Sequence, residues 1–153
     1  MAFKDYKMLN RQLTSLIEED NGYVPVLSNL AALLWSSLDD INWSGFYIVK
    51  EDELVLGPFQ GKLACIHIPY GNGVCGTAWK ENATQLVPDV HQFPGHIACD
   101  SASNSEIVVP VRKDGEVVAV IDIDSPSFSR FDPADAEGLE ETARILGESV
   151  CWD

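Results

Sequence analysis

Residues 105–124 constrain the fold more than any other stretch. Ser105 to Arg112 and Glu116 to Asp124 are two apolar, β-branched runs hinged on Lys113-Asp114-Gly115. Valine and isoleucine suit a pleated, half-buried surface, and Asp-Gly suits a tight turn. The pair therefore reads as an antiparallel hairpin.

The second run alternates. In Val120-Ile121-Asp122-Ile123-Asp124-Ser125, the strand period puts Asp122 and Asp124 on one face and Ile121 and Ile123 on the other. Carboxylates crowded on one face raise the pKa of at least one of them, which leaves a proton to donate near neutral pH. They also make a seat for an ammonium group. The plain alternative is a solvated strand end.

Register decides whether Glu106, at the start of the first strand, joins them. A two-residue Asp114-Gly115 turn sets Glu106 opposite Ile123. A three-residue Lys113-Asp114-Gly115 loop with a bulge at Gly115 sets it opposite Asp122. The sequence predicts the second geometry, or a bulge near Pro110, which has no N–H for a ladder.

The flanks follow a different period. Leu9, Leu13, Leu16 and Ile17 recur at helical spacing over residues 5–19, and Val26, Leu30, Leu33, Leu34 and Leu38 repeat the pattern. Asp132 before Pro133 is a helix start, and Leu139, Thr142, Leu146 and Val150 mark one face of a last helix. Between these ends, Trp43–Val49 and Glu53–Leu56 read as a hairpin around Lys50-Glu51-Asp52. Cys65–Ile68 and Thr84–Val87 read as short strands, and Gly73–Glu81 as a short helix. Residues 89–103 lack periodicity, and long irregular segments in compact domains are often functional. Strands between helical ends give an α+β class: a central antiparallel sheet with terminal helices on one face. No linker or repeat interrupts the 153 residues, which read as one domain, 1–153.

Charge narrows the partners. Ten basic against 24 acidic residues give a net charge of -14, which repels phosphate backbones and anionic membranes; nucleic acid is not expected. No apolar run nears the roughly 18 residues of a membrane span. Met1-Ala2-Phe3-Lys4-Asp5 has no apolar signal core, so the expected location is cytoplasmic.

In a reducing compartment, clustered cysteines point to redox chemistry or metal more often than to a permanent staple. Cys65, Cys75 and Cys99 sit in Gly- and His-rich turns. A sulfenic acid formed on one thiol collapses to a disulfide when a second thiol is in reach. The alternatives are three small buried hydrophobes, or zinc with His67, His91 and His96. No Cys-x-x-Cys knuckle supports zinc, and no metal site is assigned. Cys151 reads as structural or incidental. Trp43 and Tyr47 share a strand face with Gly45 leaving room between them, and aromatic faces suit a methyl thioether or its sulfoxide.

In order along the chain, these residues resemble the free methionine-(R)-sulfoxide reductases, a family built on the GAF fold. The resemblance runs through Ile41-Asn42-Trp43, Gly45-Phe46-Tyr47, Leu56-Gly57-Pro58-Phe59-Gln60-Gly61, Ala64-Cys65 and Gly73-Val74-Cys75-Gly76. It continues through Asp89-Val90-His91, Gly95-His96-Ile97-Ala98-Cys99-Asp100, Ser105-Glu106-Ile107-Val108 and Asp122-Ile123-Asp124-Ser125. Each piece is weak alone; together they cover most of the chain. Cys151 is no part of the pattern.

The resemblance implies a six-stranded antiparallel sheet with the terminal helices behind it and the pocket on the other side. It implies that Cys99 is the nucleophile, Cys65 the main resolving cysteine and Cys75 a second thiol that assists or exchanges. Glu106, Asp122 and Asp124 would hold the substrate amine and polarise the sulfoxide, with Asp124 or Glu106 as proton donor. Trp43 and Tyr47 would line the pocket around the methylthio end. Free L-methionine (R)-S-oxide is the implied substrate and thioredoxin the implied reductant, with no metal or organic cofactor. A homodimer through the terminal helices is compatible with it. The competing classes are a non-catalytic GAF sensor of a small ligand and a regulatory redox switch.

Overall fold

Asp5 accepts a hydrogen bond from the Met8 amide at 3.0 Å and so starts the first helix, α1 (Tyr6–Glu19). The structure is a computed structural model that describes residues 5–95 and 102–153; Cys99 and His96 lie outside the described residues. Helix α2 (Tyr23–Ser37) follows at once. The last helix, α4 (Pro133–Ser149), opens as its Asp-Pro start predicts. Asp132 accepts from the Asp135 amide at 3.0 Å, and Asp135 accepts from the Asp132 amide at 2.9 Å. This reciprocal box satisfies two orphan donors of the first turn.

Six strands lie between the helical ends: β1 (Trp43–Lys50), β2 (Glu53–Gly61), β3 (His67–Pro69), β4 (Gln85–Val87), β5 (Ser105–Lys113) and β6 (Glu116–Ser125). They form one sheet in the order β3-β2-β1-β6-β5-β4, every pair antiparallel. Helix α3 (Gly73–Glu81) occupies the span its pattern predicts. Among the described residues no helix is long and apolar enough to cross a membrane.

Strand alternation splits the interior into two layers. Phe46, Ile107, Val109, Ile121 and Ile123 pack against Leu9, Leu13, Leu27, Leu30, Leu139 and Leu146 of α1, α2 and α4. On the opposite face, Trp43, Tyr47, Val108 and Val120 pack with Val74, Cys75 and Ala78 of α3. The sheet thus has its terminal helices on one side and α3 on the other.

Three expectations of the strand reading are corrected. The β1–β2 turn is Glu51-Asp52, since Lys50 pairs with Glu53. Strand β2 runs past Leu56 to Gly61, because a register shift opposite Gly45 and Tyr47 absorbs Gly57-Pro58 within the strand. Strand β3 starts at His67, because the Cys65 carbonyl accepts the Tyr47 hydroxyl instead of a ladder N–H.

The β5–β6 hairpin also differs from the first of its two predicted geometries. Lys113 pairs with Glu116, so the turn has two residues, Asp114 and Gly115, both at positive φ. That is the pattern of a type I′ hairpin turn. The register shift lies between Val111 and Arg112, one residue beyond Pro110: Arg112 pairs with Val117 and Val111 with Ala119, which leaves Val118 unmatched. Glu106 is consequently opposite Asp124, not Asp122. The bulge keeps the carboxylates on one face, as its alternative near Pro110 required.

Candidate active site

On the α3 side of the sheet, a cavity is lined by Trp43, Tyr47, Cys75, Glu106, Asp122 and Asp124. The strands fix its floor. Glu106 projects from β5 and the two aspartates from β6, two residues apart on the same face. Glu106 and Asp122 are both buried. Burial, then the charges of Asp122 and Asp124, push the Glu106 carboxyl well above the ordinary carboxylate range; hydrogen bonding to both aspartates acts in the same direction. The surroundings of Glu106 thus favour its protonated form.

Cys75 lies in the first turn of α3, and its Sγ donates to Asp122 Oδ2 at 3.2 Å. A helix N-terminus favours a thiolate. Here burial and the neighbouring Asp122 and Glu106 charges win, and they raise the thiol well above its usual pKa. Cys75 is therefore a neutral donor to the carboxylates rather than a ready nucleophile.

The aromatic wall comes from β1. Trp43 stacks on Tyr47 with ring centroids 6.0 Å apart, and on Phe59 of β2 at 5.2 Å. The space expected beside Gly45 is not open: a Cβ there would lie 2.3 Å from Phe59 Cβ. The missing side chain lets Phe59 close against β1 and complete the stack. Tyr47 Oη donates to the Cys65 carbonyl at 2.8 Å, and Trp43 Nε1 donates to the Lys62 carbonyl at 3.2 Å. Burial and the nearby Asp122 charge raise the Tyr47 phenol above its ordinary value, so it holds its proton.

Cys65 is half-buried and disulfide-bonded, whereas Cys75 and Cys151 are free thiols. Its neighbour Ala64 lines the cavity, so the bonded cysteine stands at the rim. Cys151 is exposed and does not line the cavity; its amide donates to the Asn21 carbonyl at 2.8 Å.

Comparison with known proteins agrees with this geometry. A family model described as GAF domain matches residues 26–150. The free methionine-R-sulfoxide reductase of Escherichia coli is 52% identical over 141 residues, covering 92% of this chain and 86% of that protein. Among solved structures, fRMsr of Staphylococcus aureus in its reduced form is 53% identical with a TM-score of 0.92, over 97% of this chain and 96% of that one. The free methionine-R-sulfoxide reductase of Neisseria meningitidis, solved in complex with its substrate, is 46% identical with a TM-score of 0.90, over 94% and 87%.

The chain belongs to the free methionine-R-sulfoxide reductase family. It is thus an oxidoreductase on the six-stranded GAF fold, the architecture its sequence implies.

The sequence reading of this reductase brings Trp43, Tyr47, Cys75, Glu106, Asp122 and Asp124 to one cavity, with Cys65 at its rim; Cys99 falls outside the described residues. It missed Asn72 and Ser103, which also line the cavity. Asn72 occupies the cap position of α3 yet makes no side-chain capping bond. Asparagine before a helix normally caps it, so residue type alone does not mark this one as part of a cavity. Among the described residues, Cys75 Sγ and carboxylate oxygens of Glu106 and Asp122 lie within 4.8 Å of one another, close enough to share a metal ion. Of the three histidines weighed in the zinc alternative, His67 and His91 do not join them: His67 Nδ1 sits 2.9 Å from Glu53 and His91 Nδ1 2.9 Å from Asp89, while His96 lies outside the described residues.

Proposed function

We propose that the protein reduces free L-methionine (R)-S-oxide to L-methionine, with Cys99 as nucleophile, Cys65 as resolving thiol and thioredoxin as reductant. One observation carries this reading: three carboxylates, Glu106 and Asp122 buried and Asp124 half-buried, under an aromatic wall, with an oxidised cysteine at the rim. The substrate follows the activity of the similar free methionine-R-sulfoxide reductases.

A sulfoxide oxygen leaves only when protonated or strongly hydrogen-bonded. Glu106, protonated by its surroundings, supplies that proton; the engaged Tyr47 phenol does not. The Cys99 thiolate attacks the substrate sulfur while Glu106 protonates the oxygen. In the four-coordinate adduct the oxygen passes to the Cys99 sulfur as its bond to the substrate sulfur and the new S–S bond break, so that methionine departs as the thioether and Cys99 is left as a sulfenic acid. The Cys65 sulfur then attacks the Cys99 sulfur. The S–O bond breaks, hydroxide leaves with a proton as water, and an S–S bond forms. The product of this step is a Cys65–Cys99 disulfide. Two thiols of thioredoxin restore the pair by exchange and are themselves oxidised to a disulfide.

Asp122 and Asp124 seat the substrate ammonium. A peptide-bound methionine sulfoxide lacks that cation and would leave buried negative charge uncompensated. Trp43 and Tyr47 receive the methylthio end.

The test is NADPH consumption with thioredoxin, its reductase and each diastereomer of free methionine sulfoxide in turn. Turnover with the R form alone is expected. Saturable binding of a nucleotide without turnover would replace the reductase reading with a sensor.

A further inference from the structure

Trp43 and Tyr47 have a second connection that a substrate wall does not require. Both aim their only polar atom at the backbone of one irregular segment, Lys62 to Cys65. Trp43 Nε1 meets the Lys62 carbonyl at 3.2 Å and Tyr47 Oη meets the Cys65 carbonyl at 2.8 Å. We propose that these two residues are positioning residues for the resolving step: they clamp the segment that carries Cys65 and so set where its sulfur meets the oxidised Cys99. This rests on the reading of Cys65 as the resolving thiol.

The surrounding backbone is arranged around the clamp. The chain leaves β2 at Gly61, whose φ is +131°, and a Cβ there would stand 2.7 Å from Trp43 Cδ1. Glycine thus lets the chain turn against the indole and places the next carbonyl under its N–H. The segment ends where the Leu56 amide donates to the Ile66 carbonyl at 2.8 Å. Between these points no described secondary structure holds residues 62–65. The side chains of Leu63 and Ile66 are largely exposed, at 90% and 59%, and only the half-buried Ala64 and Cys65 pack against the α3-side layer. Both aromatic donors, by contrast, are 3% exposed and fixed by stacking. Rigid donors therefore hold the backbone at both ends of a segment that has no secondary structure of its own.

The chemical consequence concerns the second step alone. Resolution needs the Cys65 sulfur in line with the Cys99 S–O bond, with the S–S bond forming as water departs. Holding two reacting groups in register is a large part of the rate of such an intramolecular step. Losing one hydrogen bond of the clamp corresponds to a slowing of up to about tenfold.

The experiment is a single turnover without external reductant, using one equivalent of free methionine (R)-S-oxide. Methionine is quantified by rapid quench, and sulfenic acid is trapped with dimedone and located by mass spectrometry. Cys65→Ser sets the unresolved limit. In Tyr47→Phe, which removes only the hydroxyl, and Trp43→Phe, which keeps an aromatic ring without the N–H donor, methionine is expected to reach one equivalent while the Cys99 sulfenic acid persists severalfold to about tenfold longer than in wild type. The double variant should persist longest. Sulfenic acid that resolves at the wild-type rate in both single variants, with only the methionine rate or KM changed, overturns the clamp and leaves a substrate wall. If Cys65→Ser never accumulates sulfenic acid, the assignment of Cys65 fails instead. Thermal melts of each variant verify that these changes leave the fold intact.

Discussion

Glu106 stands opposite Asp124 because β6 spends one more residue than β5 between the turn and that pair. The extra residue is Val118. Without it, the two-residue Asp114-Gly115 turn would put Glu106 opposite Ile123, and the carboxylates would leave the face that holds Glu106. The acidic floor of the cavity is therefore a product of one bulge some distance from it along the strands.

The raised pKa of Glu106 predicts opposite trends for activity and stability. A carboxyl raised in the folded state contributes stability that is complete below its unfolded pKa and is lost as pH rises through the folded one. Glu106→Gln removes this dependence. Its melting temperature relative to wild type should climb steadily as pH increases from about 4 to 8. Its kcat should fall by about 10²–10⁴-fold, the usual worth of a general acid. A variant that tracks wild type in both properties would return the proton to Asp124.

The proposed thiol roles separate in two variants. Cys99→Ser should have no measurable turnover. Cys65→Ser should still yield methionine stoichiometric with enzyme, then stall with thioredoxin present. Rapid-quench methionine yield and steady-state NADPH oxidation distinguish them. Steady-state activity in Cys99→Ser would contradict the choice of nucleophile.

Cys75 should be slow to alkylate. Burial and the Asp122 and Glu106 charges keep it a thiol, and only a thiolate reacts quickly. Native protein treated with iodoacetamide at pH 7.5 should label exposed Cys151 well before Cys75, which labels only after denaturation. Peptide mass spectrometry gives the order. Rapid native labelling of Cys75 would show that the carboxylates do not hold it neutral.

Behind the sheet, Tyr6 Oη donates to Asp135 Oδ1 at 2.6 Å and joins α1 to α4. Tyr6→Phe leaves that fully buried carboxylate short of a donor, at a cost of about 1–3 kcal/mol. At this chain length the melting temperature should drop by about 2–4 °C per kcal/mol. Activity at 25 °C should stay near wild type, because neither residue lines the cavity.

Strong local signals carried most of the fold. The Asp-Pro helix start, the period-two run of β6 and the Gly73–Glu81 helix all lie where their patterns put them. Strand β2 did not, since Gly57 and Pro58 look like a terminus until a facing bulge accommodates them. The same blindness affected the carboxylates. Alternation placed Asp122 and Asp124 on one face, but the partner of Glu106 depended on a bulge at Val118, a valine like its neighbours. The aromatic pair was legible as a pocket wall. Its grip on Lys62 and Cys65 was not, because hydrogen bonds to carbonyls across the fold leave no trace in residue type.

The division of β6 into an oily row and an acidic row has a use in engineering. Asp122 and Asp124, which line the cavity, are the positions to randomise when a different ligand is sought, since Ile121 and Ile123 keep their grip on the helices whatever is written on the other side. A library confined to the first set should stay folded in most of its members, and a screen of it would sample recognition with little loss to misfolding.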